Sequence, residues 1–219
     1  MKKIILSVVA IATLTTSSLA EPVQLVQAGL GYSNYTYDIP INGKYSFDYA
    51  VADLGYSIGW EKFYLSANAM LPLADGKTSG TTGSDIRLER YQYSFNLGYR
   101  LGFYDVTAFS GLNYANSTAT NRTNNSEIAI KELGVHIGLA SILLSTEVGS
   151  LTVKGALSSG SMDFGGISET SIGYVYGIGW VGSIMEKVTY NINFDGYSYA
   201  YDNMNSTAYT AKAGIGYMF

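Results

Sequence analysis

The chain has 219 residues, of which 14% are charged and 14% aromatic; it holds 20 Tyr, 25 Gly, 3 Pro, 1 His and no Cys. A soluble domain carries roughly 25% charged residues, so the composition argues against a soluble enzyme, and the aromatics argue against a disordered chain. The lack of Cys excludes a disulfide scaffold, a thiolate metal site and a Cys nucleophile, and a net charge of −4 speaks against nucleic acid as a partner, because phosphate binding needs a basic surface.

Residues 1–20 read as a secretory signal peptide. Lys2 and Lys3 form the positive start, Ile4 to Leu14 the apolar run, and Ser18-Leu19-Ala20 supplies the small residues of a cleavage site after Ala20. The run falls short of the about 20 residues that span a bilayer. The domain that follows is expected over 21–219, without a transmembrane helix.

From there the recurring signal has period 2. Tyr91, Tyr93, Phe95, Leu97, Tyr99 and Leu101 alternate with Arg90, Gln92, Ser94, Asn96, Gly98 and Arg100. That is a strand with one greasy and one polar face; on a helix the apolar residues would scatter around the axis. The same pattern predicts ten strands: 24–37, 46–59, 62–72, 86–101, 104–116, 127–141, 150–158, 169–182, 187–199 and 207–219. In the second, Phe47, Tyr49 and Val51 share one parity and Leu54, Tyr56 and Ile58 the other, which a bulge near Ala52-Asp53 would reconcile. Eight strands is the alternative, if 142–168 is not a hairpin.

Connections at 38–45, 73–85, 116–126, 159–168 and 200–206 read as long and polar, and those at 60–61, 102–103 and 183–186 as tight. The link 142–149 is partly apolar and extends the sixth strand on one reading. Long–short alternation belongs to outer-membrane barrels, with long loops outside and short turns in the periplasm. A closed barrel is the way for a helix-free chain to span lipid, which offers backbone groups no hydrogen bonds. The fold expected is therefore all-β, a transmembrane antiparallel β-barrel. Aromatic girdles follow: Trp60, Tyr99, Trp180, Tyr217 and Phe219 at the periplasmic ends, and Tyr35, Tyr37, Phe47, Tyr49, Tyr91, Tyr93, Tyr114, Tyr197, Tyr199 and Tyr209 toward the outer ends.

The last eight residues, from Lys212 to Phe219, resemble the C-terminal assembly signal of Gram-negative outer-membrane proteins: Lys212 is its polar residue, Gly214 its glycine, Tyr217 and Phe219 its third-last and last positions. The whole chain after residue 20 resembles the small porin-like or opacity-type barrels of Gram-negative outer membranes. The resemblance implies an outer-membrane location, contact with lipid and lipopolysaccharide, and recognition by the barrel-assembly machinery and periplasmic chaperones. No functional motif of a family comes with it.

The alternation also predicts an inward face. It places Asp48, Asp105, Glu132 and Asp195 with Arg90, Arg100, Lys154 and Lys212 in the lumen, acids and bases in equal number, together with His136 and the amides Asn68, Gln92, Asn96, Asn113, Asn191 and Asn193. Two readings stand side by side. Either these groups pair and fill the barrel, because a charge away from bulk water needs a partner, or they line a narrow wet channel. Balanced signs argue against a strongly ion-selective ring. A specific expectation is an ion pair between Glu132 and Lys154 on consecutive strands. His136 lacks the Ser partner of a lipid A deacylase and the outer-loop position of an omptin-type protease, so no enzyme is expected. No metal ligand set or cofactor motif is found either; Asp202-Asn203-Met204-Asn205 lacks the spacing and terminal Glu of a calcium loop. The function expected is a structural or narrow-pore outer-membrane protein, with surface adhesion through outer loops, to a host or phage ligand, as the alternative.

Overall fold

In the computed structural model, residues 22–39, 43–79, 85–102 and 105–219 are described. The signal peptide expected over 1–20 lies outside them. Among the described residues there is no helix, and eleven strands follow in order: β1 Val23–Ile39, β2 Gly43–Trp60, β3 Phe63–Pro72, β4 Gly76–Ser79, β5 Ile86–Arg100, β6 Val106–Asn121, β7 Ser126–Thr146, β8 Gly149–Phe164, β9 Ile167–Met185, β10 Val188–Tyr201 and β11 Asn205–Met218. Neighbours pair antiparallel, and β1 pairs with both β2 and β11, so the sheet closes on itself.

The barrel has ten staves, because β3 and β4 form one. Both pair with β2 on one side and β5 on the other. The break falls after Pro72, which has no N–H to give to the ladder. The region 142–168 is indeed a hairpin: β7 continues to Thr146 and returns through Glu147-Val148 into β8.

Following hydrogen-bonded partners once round the sheet returns to β1 about 12 residues from the starting point. With about 3.3 Å per residue and about 4.8 Å between strands, this stagger tilts the strands by about 40° and gives a backbone radius of about 10 Å. Long side chains from opposite walls therefore meet at the axis.

The outer face carries the membrane band. Leu30, Leu112, Val135, Ile137, Leu157, Ile178, Ile192 and Ile215 are exposed on a closed, fully paired sheet, which suits lipid and not water. On β2 the outward residues from Trp60 to Ala50 are apolar or aromatic, and Asp48 is the first polar one. Those ten residues rise about 25 Å along the axis at this tilt, the height of a lipid-facing band.

Three expectations are corrected here. The polar segments 116–126, 159–168 and 200–206 are mostly strand: Asn121 pairs with Ser126, Phe164 with Ile167 and Ala200 with Asn205. The β8–β9 turn is only Gly165-Gly166, with φ of 59° and 91° as a tight hairpin demands. The expected alternation of long and short connections is thus absent from these three. Its cause is physical: the greasy face ends where the bilayer ends, but the backbone ladder continues into water. Second, β2 has no bulge. Its register runs unbroken, and its odd-numbered residues face inward throughout. Third, more than half of the expected outer girdle is inside: Tyr35, Tyr37, Phe47, Tyr49 and Tyr199 are buried, and Tyr197 also faces the lumen. Outward aromatics near the outer edge include Tyr32, Tyr91, Tyr93, Tyr114, Tyr174 and Tyr209, with Tyr93 and Tyr114 stacked at 6.3 Å.

Candidate functional site: the barrel lumen

The inward side chains form two layers of different character. Toward the outer end is a plug. Arg90 on β5 grips Glu132 on β7 through two hydrogen bonds, Nη1 to Oε1 at 2.9 Å and Nη2 to Oε2 at 3.0 Å. Tyr35 and Tyr37 on β1 donate their hydroxyls to the same Oε1, at 2.7 and 3.0 Å. Arg90 also donates to Ser117 at 3.0 Å and to Tyr197 at 2.7 Å, and its guanidinium stands 4.1 Å over the Tyr35 ring. Arg90 is 3% exposed and Glu132 8%. Around the pair pack Tyr35, Tyr37, Phe47, Tyr49, Val51, Leu88, Ile130, Met162, Tyr199 and Tyr201.

Strand order explains why this layer is solid. β1 and β7 stand diametrically opposite in the ring, as do β5 and β10. The Tyr35–Glu132 and Arg90–Tyr197 bonds therefore cross the whole lumen at two angles. A bidentate carboxylate–guanidinium pair has fixed geometry, and here Tyr35 and Tyr37 donate further to Glu132 while Ser117 and Tyr197 accept from the two Nη groups of Arg90, whose Nε has no partner among the described residues.

Below the plug lies a polar chamber of about 150 Å3, with room for several waters. Its charges form a chain: Lys154 to Asp195 at 2.6 Å, Asp195 to Lys212 at 3.4 Å, and Lys212 to Asp53 at 3.3 Å. Asn68 donates to Asp53 at 2.7 Å. His136 lies between Asn96, 2.8 Å from Nε2, and Asn113, 3.2 Å from Nδ1, with Phe109 edge-on at 5.7 Å. These contacts join strands one or two apart on the same wall, β8 to β10, β11 to β2, β5 to β7. They hug the wall and leave the axis free.

The expected lumen residues distribute as follows. Arg90, Glu132, His136, Lys154, Asp195 and Lys212 point inward, and all six amides line the chamber. The expected Glu132–Lys154 pair does not form; Glu132 is held by Arg90 and Lys154 by Asp195, because at this register Glu132 opposes Met162 while Lys154 opposes Ala140. Asp48 faces outward, where Asn34 donates to it at 2.8 Å. Asp105 sits exposed in the turn before β6 with φ of 49°. Arg100 ends β5 at the periplasmic side, opposite Thr107.

Asp53 was missed, having been assigned to a bulge. The signal was present: Asp53, Gly55 and Ser57 alternate with Leu54, Tyr56 and Ile58. The inward tyrosines were also missed, although Asn34, Thr36 and Asp38 make the opposite face of β1 the polar one. At the C-terminus Lys212 faces the chamber, Phe219 N donates to Gln24 O at 3.0 Å, and the Tyr217 and Phe219 rings meet edge-on at 5.1 Å.

No protein-family model matches the chain, and no curated protein matches it. Solved structures are similar in fold. The outer-membrane protease OmpT from Escherichia coli aligns over 95% of this chain and 100% of its own, with a TM-score of 0.57 at 14% identity. The translocator domain of the autotransporter NalP from Neisseria meningitidis aligns over 94% of this chain and 91% of its own, with a TM-score of 0.59 at 11% identity. The chain has the outer-membrane β-barrel fold. At these identities the likeness concerns the fold and carries neither proteolysis nor translocation across to this barrel. The single His of the chain lies in the chamber, below the plug.

Proposed function

We propose that the protein is a non-enzymatic, structural outer-membrane barrel whose lumen is closed toward the cell exterior. The observation that carries this is the Arg90–Glu132 plug, bonded across the full diameter by Tyr35 and Tyr197. The expectation of a standing narrow pore fares less well, since Tyr35 and Leu88 at this level are 0% exposed. Surface binding through long loops loses support as well, because the described outer connections after β6, β8 and β10 are short turns. On this reading lipid and lipopolysaccharide meet the apolar band and its girdles, and the barrel-assembly machinery and its chaperones recognise the segment from Lys212 to Phe219.

Planar-bilayer recording of the purified protein tests the closed lumen. The expected outcome is a silent membrane at every voltage the lipid withstands. Discrete conductance steps from well-folded protein would sink the reading.

A further inference from the structure

The plug is not uniform around its circumference. Tyr35, Tyr37, Phe47 and Tyr49 crowd one side, on β1 and β2. On β7, β8 and β9 the inward positions at this level are Gly134, Ser158, Gly160, Ser171 and Gly173, and they are neighbours across the ladder: Gly134 opposes Gly160, and Ser158 opposes Gly173. What fills the space before this wall comes from β10. The Tyr199 hydroxyl lies 3.0 Å from Ser158 Oγ, and a Cβ on Gly134 would sit 3.4 Å from that hydroxyl. A Cβ on Gly173 would fall 2.6 Å from the Tyr199 ring, so the ring needs a bare backbone there.

A separate void of about 20 Å3, enough for one water, lies at the same place, lined by Arg90, Glu132, Gly134, Gly160, Tyr199 and Tyr201. It shares Gln92, Asn113 and Tyr197 with the chamber below, so the two spaces adjoin. Arg90 Nε has no hydrogen-bond partner among the described residues, although its side chain borders this void; a buried N–H of this kind marks a place for water. Above the void stands Met162, an unbranched side chain that changes shape readily. At the periplasmic end the inward positions around the chamber mix small groups, among them Ser57, Ser66, Ala140, Thr152 and Thr189, with the larger Leu25, Tyr64 and Phe109.

We propose that the lumen holds a latent conduction path for small hydrated ions, which leaves the polar chamber along the Gly134–Gly160–Gly173 wall and is shut by Tyr199 and Tyr201. The proposal rests on the closed-lumen reading and adds where the closure yields. Both rings sit on one strand and lean on a wall of glycine and serine, whereas the Arg90–Glu132 pair is held from both sides. The chamber pairs two lysines with two aspartates, so the open path selects only weakly between cations and anions.

Conductance of three purified full-length variants, each checked for folding by its resistance to SDS before heating, decides the matter. Tyr199→Ala/Tyr201→Ala is expected to give discrete steps where the unsubstituted protein is silent. Adding Gly134→Leu, which refills the vacated space from the opposite side, is expected to cut that conductance at least several-fold. Phe47→Ala, which removes a ring from the crowded side, is expected to stay silent. A folded but silent double variant overturns the proposal, as does conductance that Gly134→Leu leaves unchanged or that Phe47→Ala matches. Steps from the unsubstituted protein would overturn the closed-lumen reading itself, a result separable from the first three.

Discussion

Removing the Glu132 carboxylate strands a guanidinium that is 3% exposed, hydrogen-bonded to three side chains and stacked over the ring of a fourth. Breaking one half of a buried pair costs about 3–5 kcal/mol, while replacing both halves by well-packed apolar groups is near neutral. Glu132→Ala is therefore expected to lower the unfolding free energy in detergent micelles by about that amount, and Arg90→Met/Glu132→Leu to recover most of it. A single variant as stable as the double one in a urea titration would show that the pair does not anchor the plug. At this scale the sequence was legible only in part. Period-2 alternation assigned a face to Arg90, Glu132, His136, Lys154, Asp195 and Lys212, but not a partner. Pairing depends on which strands stand opposite, and Arg90 and Glu132 are 42 positions apart in the chain.

At the scale of the strand, hydropathy and hydrogen bonding report different things. On β7 the outward residues Leu133, Val135, Ile137 and Leu139 are more than half exposed and lie in the lipid band, while Lys131, Ala129 and Glu127 continue the same ladder above it. A cation at the bilayer midplane of a barrel costs about 2–4 kcal/mol and near the interface about 0–1 kcal/mol. Ile137→Arg is thus expected to destabilise the barrel in lipid vesicles by the larger figure and Ala129→Arg by the smaller. Equal effects at the two positions would misplace the membrane edge. The same distinction explains the misread loops. The segments 116–126 and 159–168 have no greasy outward face and look like loops, yet Asn116 to Asn121 and Ser159 to Phe164 are paired residue by residue. The reversal of parity in β2 has the same origin: Phe47, Tyr49 and Val51 are apolar because they enter an internal core, and Leu54, Tyr56 and Ile58 because they meet lipid.

For the whole molecule, closure depends on the seam between β1 and β11, where the C-terminal segment lies. Leu25 pairs with Met218 there, and Phe219 N donates to Gln24 O at 3.0 Å. Deleting Phe219 removes one hydrogen bond and one ring contact at the end of a seam that runs from Leu25 to Asp38, so refolding into detergent is expected to proceed nearly as before. If the segment from Lys212 to Phe219 is the assembly signal, the same deletion lowers the amount of protein in isolated outer membranes several-fold, measured by immunoblot of the fractionated cells. Unchanged outer-membrane levels would remove that role from Phe219. Lys212 is a poorer probe of assembly, because its ammonium group also bridges Asp53 and Asp195 in the chamber.

Local alternation and aromatic content determined by themselves that the chain is an antiparallel barrel, with ten strands expected and eight as the alternative, and where each strand begins to within a few residues; they did not determine the charge inside it, because Asp48 and Asp105 lie outside the lumen and Asp53 within it. The barrel and its strands follow from rules that act between adjacent residues: a side chain points in or out according to parity, and lipid admits only one kind of face. Whether the lumen is open was decided by tertiary structure alone. It turns on which staves stand diametrically opposite at a radius of about 10 Å, and so on whether Tyr35, Arg90, Glu132 and Tyr197 meet across the axis or, like Lys154, Asp195, Lys212 and Asp53, stay on one wall. Parity cannot express that, because stagger and closure are properties of the completed ring.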